Sequence, residues 1–301
     1  LSWKEKILNL AGANPGPLST ALVYAAGGRF YTRWLYEAQG RLTGEGPSAC
    51  GRLTLSFDVD YPEDVESLPA LCDRLASAGI TAAFAVIGML VRRFPVEHRR
   101  LVEAGHEVLN HTYSHPDNEL LHPNETFDQL TPQARLAQIE DCRKACEDVL
   151  GISPEGFRAP HFGKVTGRDF YGILRDTGCR FSSSVIAPGT RTFGLPFRTA
   201  EGIVEFPVSC CPVHPFAVLD TWHSLRTPGG RHASPGRFSS LCREALALAA
   251  DSRGYLNLYF DPRHVSRHPE AGKAVELLAP ARHGLRLATY RDHLAQIEPV
   301  G

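Results

Sequence analysis

The strongest constraint on this chain is an alternation that begins at Arg52: a short apolar run, an amphipathic stretch closed by glycine, then another apolar run. Leu53-Thr54-Leu55-Ser56-Phe57 has the β-prone composition of a strand and ends in Asp58-Val59-Asp60. Val65, Leu68, Leu71, Leu75 and Ala78 then recur at helical spacing before Gly79, which predicts a helix over 64–78. Strands are predicted over 80–87 and 106–110, with a helix over 95–104 between them. A helix over 131–150 is opened by Thr131-Pro132 and closed by Gly151. Further strands are expected at 156–158, 181–185, 203–208, 255–260 and 285–288, and further helices at 167–177, 236–251 and 270–281. Apolar strands alternating with helices imply a parallel sheet covered by helices. No glycine-rich turn follows the first strand, and polar residues gather at strand ends. A closed or nearly closed α/β barrel therefore fits better than an open dinucleotide-binding sheet.

Residues 1–50 have a different rhythm. They read as an N-terminal extension of helical pieces broken by Pro15, Pro17, Gly27 and Gly28, and the barrel domain is assigned to 51–301. Residues 19–38 are rich in aromatics, including Tyr24, Phe30, Tyr31, Trp34 and Tyr36. Such a segment packs against its own domain, serves as a homo-oligomer contact, or lies on a membrane surface. No apolar run approaches the ~18 residues of a membrane span. The start of the chain lacks the layout of an export signal, so a cytoplasmic location is expected. A net charge of −1 does not suit a general nucleic-acid binder. The 8 cysteines include no CxxC pair, and at 301 residues the chain does not need a disulfide framework, so they are read as small buried residues.

Chemistry gathers at three strand ends. Asp58 and Asp60 are two apart, so a continuing strand points both to one face. His111 and His115, in His-Thr-Tyr-Ser-His-Pro, are four apart, and one helical turn would bring the imidazoles together. Two histidines and a carboxylate leave the fourth position open, as in catalytic zinc sites. In Phe157-Arg158-Ala159-Pro160-His161, the arginine can reach a carboxylate and pin Asp58 as a base. Singly these pieces are weak, because aspartates cap turns and HxxxH arises by chance. Together they point to a functional site rather than chance.

In order and content, Ser56-Phe57-Asp58-Val59-Asp60, His111-Thr112-Tyr113-Ser114-His115-Pro116 and Phe157-Arg158-Ala159-Pro160 resemble the motifs of the polysaccharide deacetylase superfamily (NodB homology, carbohydrate esterase family 4), in its Asp-x-Asp branch. The resemblance runs from about Arg52 to Leu294. It implies a distorted (β/α)7-type barrel, Asp58 as general base, Asp60, His111 and His115 as metal ligands, and Arg158 as the residue that orients the base. One departure stands out. Where the family places a late histidine to protonate the leaving amine, this chain has Asp261. Asp261 or His264 is then the expected acid, with His161, His214 and His223 as alternatives.

The expected reaction is metal-assisted hydrolysis of the N-acetyl amide of an amino sugar, with one divalent ion. Zinc is the default, and cobalt, nickel or manganese are alternatives. A backbone N–H near Tyr61 is expected to help hold the oxyanion. Tyr61, Pro160, His161 and Trp222 are the expected substrate contacts, and 222–237 reads as a lid or phosphate-contacting loop. A small, nucleotide-, lipid- or antibiotic-linked substrate is preferred to a polymer. Competing readings are a cyclic-amide or ureide hydrolase, a non-haem iron oxygenase with the same ligand count, and a silent sugar-binding barrel.

Overall fold

A computed structural model of the chain describes residues 17–43, 51–162, 168–280 and 284–297. The expected break at Pro15, the loop at 44–47 with the 50/51 boundary, and Cys50 lie outside these residues. The strands are β1 (Arg52–Val59), β2 (Ala83–Val86), β3 (Glu107–Asn110), β4 (Gly156–Phe157), β5 (Phe181–Ser182), β6 (Phe197–Arg198), β7 (Val204–Glu205), β8 (Cys210–Cys211), β9 (His214–Val218), β10 (Tyr255–Phe260) and β11 (Arg286–Leu287). The main sheet runs β10-β1-β2-β3-β4-β5-β7-β6, and β11 adds to the start of β1. All of its pairings are parallel except that of β6 with β7. The two ends of the sheet curl towards each other. The Ser209 N–H donates to the Asn257 carbonyl at 2.9 Å, which ties the segment after β7 to β10. The result is the expected distorted, incompletely closed α/β barrel.

Strand composition explains the layers. Leu53, Leu55, Phe57 and Val59 of β1 are fully buried, as are Leu256, Leu258 and Phe260 of β10. They pack under the helices Pro62–Ala78 and Arg237–Ser252 in one core cluster. The alternate residues Thr54, Ser56 and Asn257 face the barrel interior, where they hydrogen-bond rather than pack apolar groups. The helix Pro132–Leu150 is capped as expected, with the Thr131 hydroxyl accepting the Ala134 N–H at 3.2 Å. A short helix, Gly88–Arg93, was not legible in the sequence. It fits because Gly88 has no side chain; a Cβ there would lie 2.9 Å from the Cα of Cys142.

The N-terminal helices are docked onto the barrel. In helix Gly28–Thr43, Tyr31, Trp34, Leu35 and Tyr36 are buried, so the aromatic stripe packs on its own domain. Gln39 is buried too, donating to the Phe193 carbonyl at 2.7 Å and accepting the Tyr255 N–H at 2.8 Å. Leu18, Leu22 and Phe30 stay exposed.

Candidate active site

The ends of β1, β3, β4 and β10 deliver the motif residues to one end of the barrel. β1 stops at Val59, and Asp60 follows it as the first residue of a loop. That loop is held from both sides. The Asp64 carboxylate accepts the Asp60 and Tyr61 N–H groups at 3.2 and 3.1 Å, and the Asn118 side chain donates to the Asp60 carbonyl at 2.8 Å. The Tyr61 N–H is thereby committed to Asp64, so the expectation that a backbone N–H at Tyr61 helps an oxyanion is corrected.

His111 and His115 do not share a helical turn. Thr112 and His115 have positive φ, 68° and 50°, and the segment folds as an irregular loop. The sequence expectation of a helix fails here, although its consequence holds. The two rings lie with centroids 4.8 Å apart. His111 Nε2 is 3.3 Å and His115 Nε2 3.8 Å from Asp60 Oδ1, and the three ligand atoms fall within 4.8 Å of one another. His111 Nδ1 faces the Arg158 carbonyl at 2.7 Å, a contact that places a proton on Nδ1 and turns the Nε2 lone pair towards Asp60.

This donor set fits a cation. Asp60 Oδ1 is buried without a hydrogen-bond donor, and two imidazole nitrogens face it. Burial would raise the Asp60 carboxyl, but the facing His115 and His111 outweigh it and hold the group below the usual carboxylate range. Burial also pushes His115 down to about 3, which keeps its imidazole in the neutral form that ligates metals.

Asp58 has the opposite wiring. Its carboxylate is buried beside Arg158, whose Nη1 donates to Oδ1 at 2.6 Å. Burial raises the Asp58 carboxyl to about 6 in spite of Arg158. Arg158 is itself completely buried. Its Nη2 donates to the Tyr290 hydroxyl at 2.6 Å and to Ser183 Oγ at 3.1 Å, and Nε donates to the Ser183 carbonyl at 3.2 Å. Tyr290 in turn donates to Asn257 Oδ1 at 2.7 Å. A polar chain through the barrel interior thus fixes Asp58.

A cavity of about 390 Å³ opens over these groups. Asp58, Asp60, His111, His115 and Asp261 line it, with Tyr61, Trp222, Phe162, Tyr259 and Val218 among its walls and His161, His223, Asp117 and Glu119 completing the lining. Tyr61 and Trp222 stack at 6.3 Å and 10°. A larger cleft, about 620 Å³, lies between the N-terminal helix and Arg237–Ser252, and it shares no residue with this constellation.

The remaining expected residues divide. Tyr61, His161, Trp222 and Asp261 line the cavity, whereas Pro160 is buried and His264 is not part of the lining. His264 sits behind, with Nδ1 at 3.2 Å from Asp261 Oδ2 and its ring 5.8 Å from that of Trp222. The Thr221 hydroxyl donates to the same Asp261 oxygen at 2.5 Å. The sequence reading missed Asp220. It is buried at the start of helix Thr221–Leu225, accepting the His223 N–H at 2.6 Å and holding His223 Nδ1 at 2.7 Å. Asp two residues before Trp222 is an ordinary N-cap signal, and it was there to be read.

The profile of the polysaccharide deacetylase family matches residues 45–181, the stretch that carries all three motifs. Residues 45–181 thus carry the sequence signature of the polysaccharide deacetylase family. Curated relatives include the chitooligosaccharide deacetylase of Bradyrhizobium sp. strain ANU 289, 38% identical over 107 residues (36% of this chain and 44% of that protein). A second is the peptidoglycan-N-acetylglucosamine deacetylase of Bacillus cereus, 34% identical over 116 residues and covering 38% of each chain. The chain thus spans less than half the length of these two relatives. Among solved structures, a candidate polysaccharide deacetylase from Mycobacterium smegmatis superposes with a TM-score of 0.67 at 20% identity, over 84% of this chain and 92% of the other. The allantoinase PuuE superposes with a TM-score of 0.62 at 14% identity, over 85% and 94%. These two likenesses show the fold alone.

Proposed function

We propose that this chain is a metal-dependent hydrolase that removes the acetyl group from the nitrogen of an amino sugar. The observation that carries the reading is the pairing of two differently wired carboxylates in one cavity, one facing two imidazoles and the other held by a buried arginine. A divalent ion held by Asp60, His111 and His115 supplies Lewis-acid polarisation of the amide carbonyl and makes water more acidic. Asp58 is the base that takes the proton of the attacking water, and Arg158 fixes the direction of its free oxygen.

The leaving nitrogen needs a proton, and His223 is the best-placed donor. Asp220 holds its Nδ1, which leaves Nε2 as the nitrogen that can present a proton to the cavity. This is the Asp–His arrangement that orients an imidazole for proton transfer. Asp261 already accepts the Thr221 hydroxyl and faces His264 through one oxygen, so it serves better to receive the amine as it departs.

The cavity volume falls in the range of small-molecule sites, ~300–1,000 Å³. Tyr61 and Trp222 give the cavity an aromatic wall against which a sugar ring can lie, with Arg263 packed over the Tyr61 ring at 3.9 Å. Asp117 and Glu119 in the lining would repel phosphate, which favours an uncharged amino sugar over a nucleotide conjugate.

The test is acetate release from short N-acetylglucosamine oligomers with added metal. Wild type should release acetate and free amine in equal amounts. Asp58→Asn should keep its metal and lose roughly 10²–10⁴-fold in rate. No acetate from any N-acetylated amino sugar, or a wild-type rate in Asp58→Asn, would overturn the assignment.

A further inference from the structure

Outside the cavity, a second group of ligand-type side chains meets between the β8–β9 hairpin and the loop after helix Thr221–Leu225. Cys211 Sγ lies 3.4 Å from His232 Nε2 and 3.9 Å from His214 Nδ1, and the three atoms fall within 4.8 Å of one another. A zinc ion with bonds of ~2.3 Å to sulfur and ~2.0–2.1 Å to nitrogen, at tetrahedral angles, sets sulfur and nitrogen about 3.5 Å apart. The observed separations bracket that value. We propose that Cys211, His214 and His232 form a second metal site, selective for zinc-like ions that accept a thiolate and two imidazoles.

Hydrogen bonding alone accounts for the cluster poorly. A thiol can donate to one imidazole and accept from the other only as weak hydrogen bonds, whereas a cation engages all three atoms at once. The surrounding charge is mixed, since Arg231 and Asp220 both act on Cys211.

The location gives the site a task. Its ligands bracket the segment that carries Asp220, Trp222 and His223. After the turn, the Arg231 N–H donates to the His223 carbonyl at 2.7 Å and the His232 N–H to the Ser224 carbonyl at 2.8 Å. An ion at Cys211, His214 and His232 closes this segment on itself and fixes the wall that presents His223.

Cobalt titration of chelator-stripped protein tests the proposal, because the cavity group Asp60, His111 and His115 contains no thiolate. Two equivalents of cobalt should bind, and a thiolate-to-cobalt charge-transfer band should appear in the near ultraviolet. Cys211→Ser should lose the band and one equivalent, with circular dichroism confirming the fold. His232→Gln should weaken the band as an independent check. His115→Ala should lose one equivalent and keep the band, which separates this site from the catalytic one. Absence of the band at saturating cobalt in wild type, or its persistence in Cys211→Ser, would overturn the proposal.

Discussion

Replacing Arg158 with methionine removes the positive partner of a carboxylate that is almost wholly buried at the floor of the cavity. The Asp58–Arg158 pair is buried at 2.6 Å, and Arg158 makes three further hydrogen bonds to Ser183 and Tyr290. Breaking such a pair costs about 3–5 kcal/mol, because the surviving charge stays buried without compensation. Arg158→Met should therefore lower the unfolding free energy by about 3–5 kcal/mol at neutral pH. Asp58→Asn strands the guanidinium in the same way and should cost a comparable amount. The double variant strands neither charge, so it should be less damaged than the sum of the singles by about 2–3 kcal/mol. Urea unfolding followed by tryptophan fluorescence, with chelator present so that metal binding adds nothing, measures all four proteins. Additivity within about 0.5 kcal/mol would refute the claim that the two residues act as one buried unit.

Two further outcomes follow from the same contacts. His223→Gln should lower kcat by about 10²–10³-fold with KM little changed, and the loss should shrink for an O-acetyl ester substrate, whose alkoxide departs with less need of a proton than an amide nitrogen. An equal loss on both substrates would remove His223 as the donor. Glu107 is raised to about 7 by burial although it accepts the Tyr290 and Arg291 N–H groups. Its folded pKa lies above the ordinary 4.5, so its contribution to stability is complete below about 4.5 and is lost as pH rises towards 7. Wild type should lose more stability than Glu107→Gln between those values; parallel pH profiles would contradict the assignment.

Much of the fold was legible because apolar runs and glycine stops are local signals. Tyr255–Phe260 and the capped helix Pro132–Leu150 appear almost where the sequence puts them. The β8–β9 hairpin was not legible, since Pro212 and Pro215 interrupt any strand pattern. Helices Pro262–Arg267 and Tyr290–Ile297 were missed as well, being too short to show a clear period. In the site, the metal-ligating types and their order were readable, but their geometry was not. His111 and His115 converge through left-handed backbone rather than a helix, and no spacing rule announces that. Asp64, Asp220 and Tyr290 act through contacts that exist only once distant strand ends meet. Cys211 reads as one more buried cysteine until His232 closes on it from 21 residues away.

The most direct test of the account is reactivation of stripped protein by metered zinc, following acetate release from an N-acetylglucosamine oligomer. Activity should be absent without metal and return in wild type as the Asp60–His111–His115 group fills. His115→Ala should stay inactive at the same zinc concentrations, even while its thiolate site takes up an ion. Full-rate hydrolysis by the stripped protein, or equal reactivation of His115→Ala, would contradict the central claim.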